Sequence, residues 1–177
     1  MGVHILSQRA NKNEAQHVLD SIRRLVQDLR VADHEAKHTL GLSGAQLFVI
    51  KRLGEKPAMS VNELAERTYT HQSSVSAVAH RLVEKRLVKR EESPNDRRRA
   101  ELSLTTEGKR LLSRSLHSPQ DRMIEAVESM PSENRRQLAM RLAELVEAMG
   151  LSGEMPGMFF EAERKTPVPA RKGRQNG

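Results

Sequence analysis

The chain has 177 residues, a length that suits one compact domain with terminal arms better than two separate cores. It contains no cysteine, which excludes disulfides, thiolate metal sites and cysteine-based redox sensing. Its formal charge of +7 makes a polyanion the first partner to consider, either nucleic acid or an anionic membrane surface.

Aromatic residues make up only 2% of the chain, so the core must be built from aliphatic side chains and methionine, which suit packed helices. We therefore expect a mainly helical fold. No stretch approaches the ~18 apolar residues of a membrane span. We expect a cytoplasmic protein with no membrane partner.

The first predicted element is a long amphipathic helix over about residues 13–39, after a flexible N-terminal arm over 1–12. Gly41 ends this helix. Ser43 and Gln46 form a capping box, which predicts the start of a second helix.

Gly54 and Pro57 end the second helix. Ser60 and Glu63 form another capping box and predict a short third helix. Thr70 is the expected N-cap of the fourth.

The fourth helix is predicted from His71 to about Lys85, with one apolar face and one polar face. The apolar face carries Val75, Val78, Ala79 and Leu82. The free face carries Gln72, Ser73, Ser76, Ala77 and His80.

A two-stranded hairpin, or wing, is predicted next, with strands over Leu87–Glu91 and Ala100–Leu104. Ser93–Asp96 supplies turn residues between the strands. Arg97, Arg98 and Arg99 then lie at the hairpin tip, where an extended cation can enter a narrow minor groove.

Thr105 is expected to cap a fifth helix, and Pro119 must kink that helix or begin its continuation. We favour a two-part helix. The last helix, Ser132–Met149, carries an apolar stripe of the kind that packs against a second subunit. Residues 150–177 are expected to form a basic, mostly disordered tail.

Two short helices followed by a hairpin are typical of a winged helix-turn-helix. A major groove about 12 Å wide admits one helix, and short polar side chains let its N-terminal end approach base edges. Between Thr70 and Ala100 there are eight Lys or Arg and four Asp or Glu, so the positive charge is concentrated in this region. The pattern indicates a DNA-binding protein without catalytic activity or a cofactor.

Several motifs in order resemble the multiple-antibiotic-resistance regulator (MarR) family over roughly residues 15–149. The clearest is the wing stretch from Asp96 to Gly108, an Asp-x-Arg tip followed by a Leu-Thr-x-x-Gly helix start. The others are Leu42-Ser43 with Gln46-Leu47, Asn62-Glu63-Leu64-Ala65, Ser73-Ser74-Val75-Ser76 and Arg81-Leu82-Val83-Glu84-Lys85.

The resemblance implies a homodimer that binds a palindromic operator as a repressor and is released by a small aromatic or phenolic effector. In the family the effector lies between the first, second and fifth helices and the wing. The resemblance also implies helical dimerisation regions at 13–40 and 105–149, around a DNA-binding region at 41–104.

Carried over by position, Arg98 would enter the minor groove, oriented by Asp96, and Arg81 would reach a phosphate. Gln72, Ser73, Ser74, Ser76 and Ala77 would face bases. The full set of expected DNA-binding residues adds Thr70, His71, His80, Asn95, Arg97 and Arg99.

Two positions depart from the family pattern. Arg86 stands where the family usually has glycine, and a left-handed residue there would cost arginine ~1 kcal/mol. Pro119 interrupts a helix that is often continuous in the family.

A competing motif is His34-Glu35-Ala36-Lys37-His38, an H-E-x-x-H sequence on a predicted helix. One alternative is a zinc hydrolase with Glu35 as the base. Another is a metal-sensing regulator that uses His34 or His38 with a further ligand such as His117. We favour solvated histidines with no metal.

Overall fold

The computed structural model describes residues 2–93, 100–114, 118–151, 153 and 156–161, with side chains from residue 13 onward. Within these ranges the chain forms seven helices and a three-stranded antiparallel sheet, which confirms the mainly helical fold with a small β-wing. None of these helices has an apolar stretch long enough to cross a membrane.

Helix α1 (Gly2–Leu40) begins at Gly2, so residues 2–12 continue the helix instead of forming the expected arm. Residues 3–40 contain neither glycine nor proline, and nothing in that stretch stops the helix from extending toward the N-terminus. Gly41 follows with a φ of +66°, the left-handed conformation that glycine adopts without strain.

Helix α2 (Gly44–Leu53) begins with the expected capping box. The Ser43 hydroxyl accepts from the Gln46 amide at 3.3 Å, and the Ser43 amide donates to Gln46 Oε1 at 3.1 Å. The buried Asp33 of α1 accepts from the Gly44 amide at 2.7 Å. This bond fixes the first turn of α2 against α1.

Strand β1 (Met59–Ser60) and helix α3 (Val61–Thr68) follow. The Ser60 hydroxyl accepts from the Glu63 amide at 3.1 Å, as expected of a cap. The Glu63 carboxylate binds Lys56 and Arg67 and does not return to the Ser60 amide as a full capping box requires.

Helix α4 (Gln72–Glu84) is capped by the backbone of His71, not by Thr70. The Thr70 hydroxyl lies 2.8 Å from the Thr68 hydroxyl and is engaged in the turn between α3 and α4. The predicted apolar face is confirmed, because Val75, Val78, Ala79 and Leu82 are all buried.

Strands β2 (Val88–Glu92) and β3 (Ala100–Leu104) pair in antiparallel register from Val88–Leu104 to Glu92–Ala100. Strand β1 pairs with the other edge of β3, which gives the order β1-β3-β2. The sheet thus has three strands where two were predicted, since a two-residue strand shows no alternation of apolar and polar residues in the sequence.

Helices α5 (Thr106–Ser113) and α6 (Pro119–Ser129) confirm the predicted two-part helix, with Pro119 as the first residue of α6. Ser118 caps α6 by accepting from the Asp121 amide at 3.4 Å. Helix α7 (Ser132–Ala148) is exposed along its whole length.

The core lies between α2, α3, α4 and the sheet. Residues 156–161, here called the C-terminal segment, also join it, and Met158 is only 6% exposed. The expectation of a mostly disordered tail is therefore wrong for this segment. The largest fully buried core side chains include Leu42, Ile50, Leu53, Met59, Leu64, Leu82 and Leu102.

Candidate nucleic-acid interface

Helix α4 presents a polar face to solvent next to its buried face. Gln72, Ser73, Ser76 and His80 are exposed, and Ala77 is half-buried. Gln72 and Ser73 stand in the first turn, where the helix also offers amide groups without partners inside the helix. The face combines short hydrogen-bonding side chains with a positive helix end.

Ser74 departs from the expected set because its side chain is buried. Its hydroxyl donates to the Glu161 carboxylate of the C-terminal segment at 2.9 Å. Ser74 therefore faces the interior of the fold, and the expectation that it contacts bases is wrong.

The remaining expected residues of this region lie around the exposed face. Thr70 and His71 are half-buried in the turn before α4, and Arg81 is half-buried in its third turn. Arg81 is thus on the same helix as the polar face but less accessible than Gln72, Ser73 and Ser76.

A tight turn after α4 leads into the wing. Arg86 has a φ of 58°, so the left-handed conformation that we expected at this position is confirmed. The Thr105 hydroxyl donates to the Arg86 carbonyl oxygen at 2.8 Å, and the Thr105 amide donates to the Leu87 carbonyl oxygen at 3.1 Å. These bonds hold the start of β2 against the end of β3.

The paired strands β2 and β3 reach Glu92 and Ala100. The predicted wing-tip residues Asn95, Asp96, Arg97, Arg98 and Arg99 lie outside the described residues. Their roles stay predictions.

A cavity of about 260 Å³ lies beside the turn between α3 and α4. Its walls come from α2, this turn, α6 and the C-terminal segment. It shares the second helix and the second part of the fifth helix with the effector position implied by the family resemblance, but the residues that line it include none from the first helix or the wing. It is lined by Phe48, Thr68, Tyr69, Thr70, Gln120, Met123, Ile124, Pro156, Gly157, Met158 and Phe159.

The C-terminal segment is the part of this site that sequence reasoning missed. A signal was present, because two of the three phenylalanines of the chain, Phe159 and Phe160, stand close to Met155 and Met158. Such a cluster of large apolar residues is unusual for a disordered tail.

Tyr69 lines the cavity and is the left-handed C-cap of α3. Its hydroxyl donates to the Glu128 carboxylate of α6. This hydrogen bond to an anion raises the pKa of Tyr69 above its ordinary value. The contact links the α3–α4 turn to α6.

The H-E-x-x-H motif lies on α1. The rings of His34 and His38 are 6.4 Å apart, centroid to centroid, and both side chains are exposed. Among the described residues no group of three or more His, Asp or Glu side chains is arranged to hold a metal ion. His117, the further ligand considered above, lies outside that part of the chain.

A family model described as MarR family matches residues 40–99, which contain α2 to α4 and β2. The chain is 38% identical over 88 residues to the HTH-type transcriptional repressor MdtR of Bacillus subtilis (strain 168). This match covers 50% of this chain and 57% of MdtR, so the chain aligns with little more than half of that relative.

Two solved structures are similar over longer stretches. The YusO protein from Bacillus subtilis is 30% identical, with 77% of this chain and 97% of YusO covered and a TM-score of 0.48. A mutant MarR from E. coli complexed with operator DNA is 23% identical, with 76% of this chain and 96% of that chain covered and a TM-score of 0.52. At that identity the E. coli structure shows a shared fold.

Proposed function

We propose that the chain is a transcriptional regulator of the MarR family, which binds a palindromic DNA operator as a homodimer and represses transcription until a small effector releases it. Relatives in this family are regulators and not enzymes. The single observation that carries the proposal is the exposed polar face of α4.

The α4 face has the shape and chemistry that a major groove requires. Gln72, Ser73 and Ser76 are short enough to let the helix backbone approach base edges, and each can both donate and accept hydrogen bonds. His80 lies further along the same face. We propose that Arg81, on the same helix, contacts a phosphate. The buried face of α4 holds the helix rigidly on the core.

We propose that the wing supplies the second contact with DNA. Strands β2 and β3 are paired up to Glu92 and Ala100, and the predicted arginine-rich tip belongs to the stretch between them. We propose that Arg98 enters the minor groove next to the major groove occupied by α4, with Asp96 as its orienting partner.

The homodimer is supported by two apolar helix faces that the described residues of a single chain leave exposed. In α1, Val18, Leu25 and Val26 are exposed. In α7, Leu138, Leu142, Leu145 and Val146 are exposed. Large exposed apolar faces of this kind mark interaction surfaces, and a two-fold pairing of them gives two copies of α4.

The two copies of α4 in a symmetric dimer would contact half-sites about one DNA turn apart, ~34 Å. An effector that changes this spacing would change operator affinity. The MdtR relative is named a repressor, and this supports repression as the outcome of operator binding here.

Selection of bound sequences from random duplexes tests the proposal. We expect an enriched palindrome with half-sites about 10 base pairs apart, centre to centre. On that operator, Arg98→Ala should weaken binding by ~1–3 kcal/mol, as expected for loss of one specific contact. A selection that enriches no sequence would contradict sequence-specific binding of an operator.

A further inference from the structure

The excess positive charge of the chain lies in two stretches that are far apart in the sequence. Residues 70–100, from the turn before α4 to the start of β3, carry eight Lys or Arg and four Asp or Glu. Residues 162–177, here called the basic extension, carry five Lys or Arg and one Glu. The rest of the chain holds 17 Lys or Arg and 18 Asp or Glu. The two stretches therefore account for the whole positive excess.

The C-terminal segment brings the second stretch to the first. Glu161, its last residue, accepts with Oε2 from the Ser74 hydroxyl at 2.9 Å and from the Met158 amide at 3.2 Å. Ser74 lies in the first turn of α4, and its side chain is buried. The basic extension thus begins directly after a residue that is bonded to α4.

Close packing holds this anchor in place. Met158 is only 6% exposed and belongs to the hydrophobic core. Gly157 lets the chain lie against α4, because a Cβ atom there would lie 2.7 Å from Glu161 Oε2 and 3.3 Å from Ser74 Oγ. The position of Glu161 beside α4 is therefore fixed by the core and by α4 itself.

Chain length limits how far the first cations of the basic extension can lie from α4. Arg164 and Lys165 follow Glu161 by three and four residues, and four residues of fully extended chain span at most about 14 Å. Gln72 and Ser73, proposed above to contact bases, directly precede Ser74. A major groove is about 12 Å wide, so the phosphates along its edges are within reach of both cations when α4 lies in it.

We propose that the basic extension contacts the DNA phosphate backbone beside α4, with Arg164 and Lys165 as its main contacts. This inference rests on the proposed function in that α4 is the helix that lies on the duplex. Contacts with phosphates release counterions, so the extension adds affinity for DNA of any sequence and selects no bases. The exposed side chains of α4 beside it are polar, which favours DNA over an anionic membrane, since a membrane also takes up apolar side chains.

The salt dependence of DNA binding tests this inference in the full chain. The double variant Arg164→Gln with Lys165→Gln removes two cations from each chain of a dimer. We expect the slope of log affinity against log salt concentration to become less negative by about 2–4, since each phosphate contact contributes about 0.9. The same change is expected on the selected operator and on a duplex of unrelated sequence.

Two further pairs remove the same charge at other places. Arg24→Gln with Arg136→Gln neutralises exposed arginines whose helical spacing places them away from the apolar stripes of α1 and α7, and this pair should change the slope by less than about 0.5. Arg171→Gln with Lys172→Gln neutralises cations ten and eleven residues beyond Glu161. Because the effective concentration of a tethered group falls with the length of its tether, this pair should change the slope by about half as much as the first.

An unchanged slope in the variant of Arg164 and Lys165 would overturn the inference. A change of equal or greater size in either of the other two pairs would also overturn it, because the anchor at Glu161 would then not set the contact. So would unchanged DNA binding together with lost binding to phosphatidylserine vesicles, which would assign the extension to a membrane.

The unrelated duplex separates this inference from the proposed function. If selection enriched no operator, sequence-specific binding would fail, and the slope on the unrelated duplex would still show whether the extension contacts phosphates. Operator binding with an unchanged slope in the first pair would remove only the basic extension from the DNA contacts. All substitutions in the extension lie beyond the docked segment and leave the buried contacts of Met158 in place.

Discussion

Arg86 shows how a single residue can carry strain at the junction between two functional elements. It is in the left-handed conformation at the turn from α4 to β2, and Thr105 bonds to its carbonyl oxygen. A side chain with a Cβ atom is disfavoured in this conformation, whereas glycine adopts it freely. The extra positive charge beside the predicted DNA surface is the one evident compensation.

Replacing Arg86 by glycine should therefore stabilise the fold. We expect Arg86→Gly to raise the free energy of unfolding by about 0.5–1 kcal/mol, measured by urea denaturation. Lys85→Gly is the matched control, since Lys85 has a φ of −75° and gains nothing from glycine. A loss of stability in Arg86→Gly comparable to that in Lys85→Gly would contradict the strain at this position.

At the scale of elements, the sequence predicts the helices and strands that have clear capping residues or a repeated spacing of apolar residues. Helices α2 and α4 and strand β3 have clear caps or periodic apolar residues, and the structure has them where expected. Arg86 was predicted to be strained from the family resemblance, because the family usually has glycine at this position.

The elements that were missed lack such a pattern or depend on distant contacts. Strand β1 is two residues long and forms only because β3 offers an edge. The C-terminal segment docks through Met158 and through the bond from Ser74 to Glu161, two residues 87 positions apart in the chain. The assignment of Ser74 to the DNA-contacting face was wrong for the same reason, since local residue spacing cannot reveal a contact with Glu161, which is so distant in the chain.

The docked C-terminal segment should contribute measurably to stability. We expect Met158→Ala to lower the free energy of unfolding by about 2 kcal/mol, the low end of the range for a buried methionine, because a terminal segment can detach. Phe159→Ala should change it by less than about 0.5 kcal/mol, since Phe159 is exposed. Equal effects of the two variants in urea denaturation would show that the segment is not held by Met158.

For the whole molecule, the exposed stripe on α7 leads to a prediction about assembly. We expect the chain to sediment as a dimer and Leu142→Asp to shift it to monomer, since a carboxylate in an apolar interface loses its hydration. Met140→Asp is the matched control. Leu142 and Met140 are 48% and 49% exposed, but their spacing of two residues places them on nearly opposite sides of the helix. A Leu142→Asp chain that stays dimeric would remove α7 from the interface.

The central claim is that the exposed face of α4 contacts DNA, and one substitution on that face tests it most directly. Ser76→Glu places a carboxylate against the duplex without disturbing the buried face, and the control Ser113→Glu places one at an exposed position of α5. In equilibrium titrations of the selected operator, we expect Ser76→Glu to weaken binding by about 100-fold, because a dimer presents two such repulsive charges. Ser113→Glu should change the affinity by about twofold or less. Operator binding by Ser76→Glu equal to that of the wild-type chain would contradict the assignment of this face to DNA.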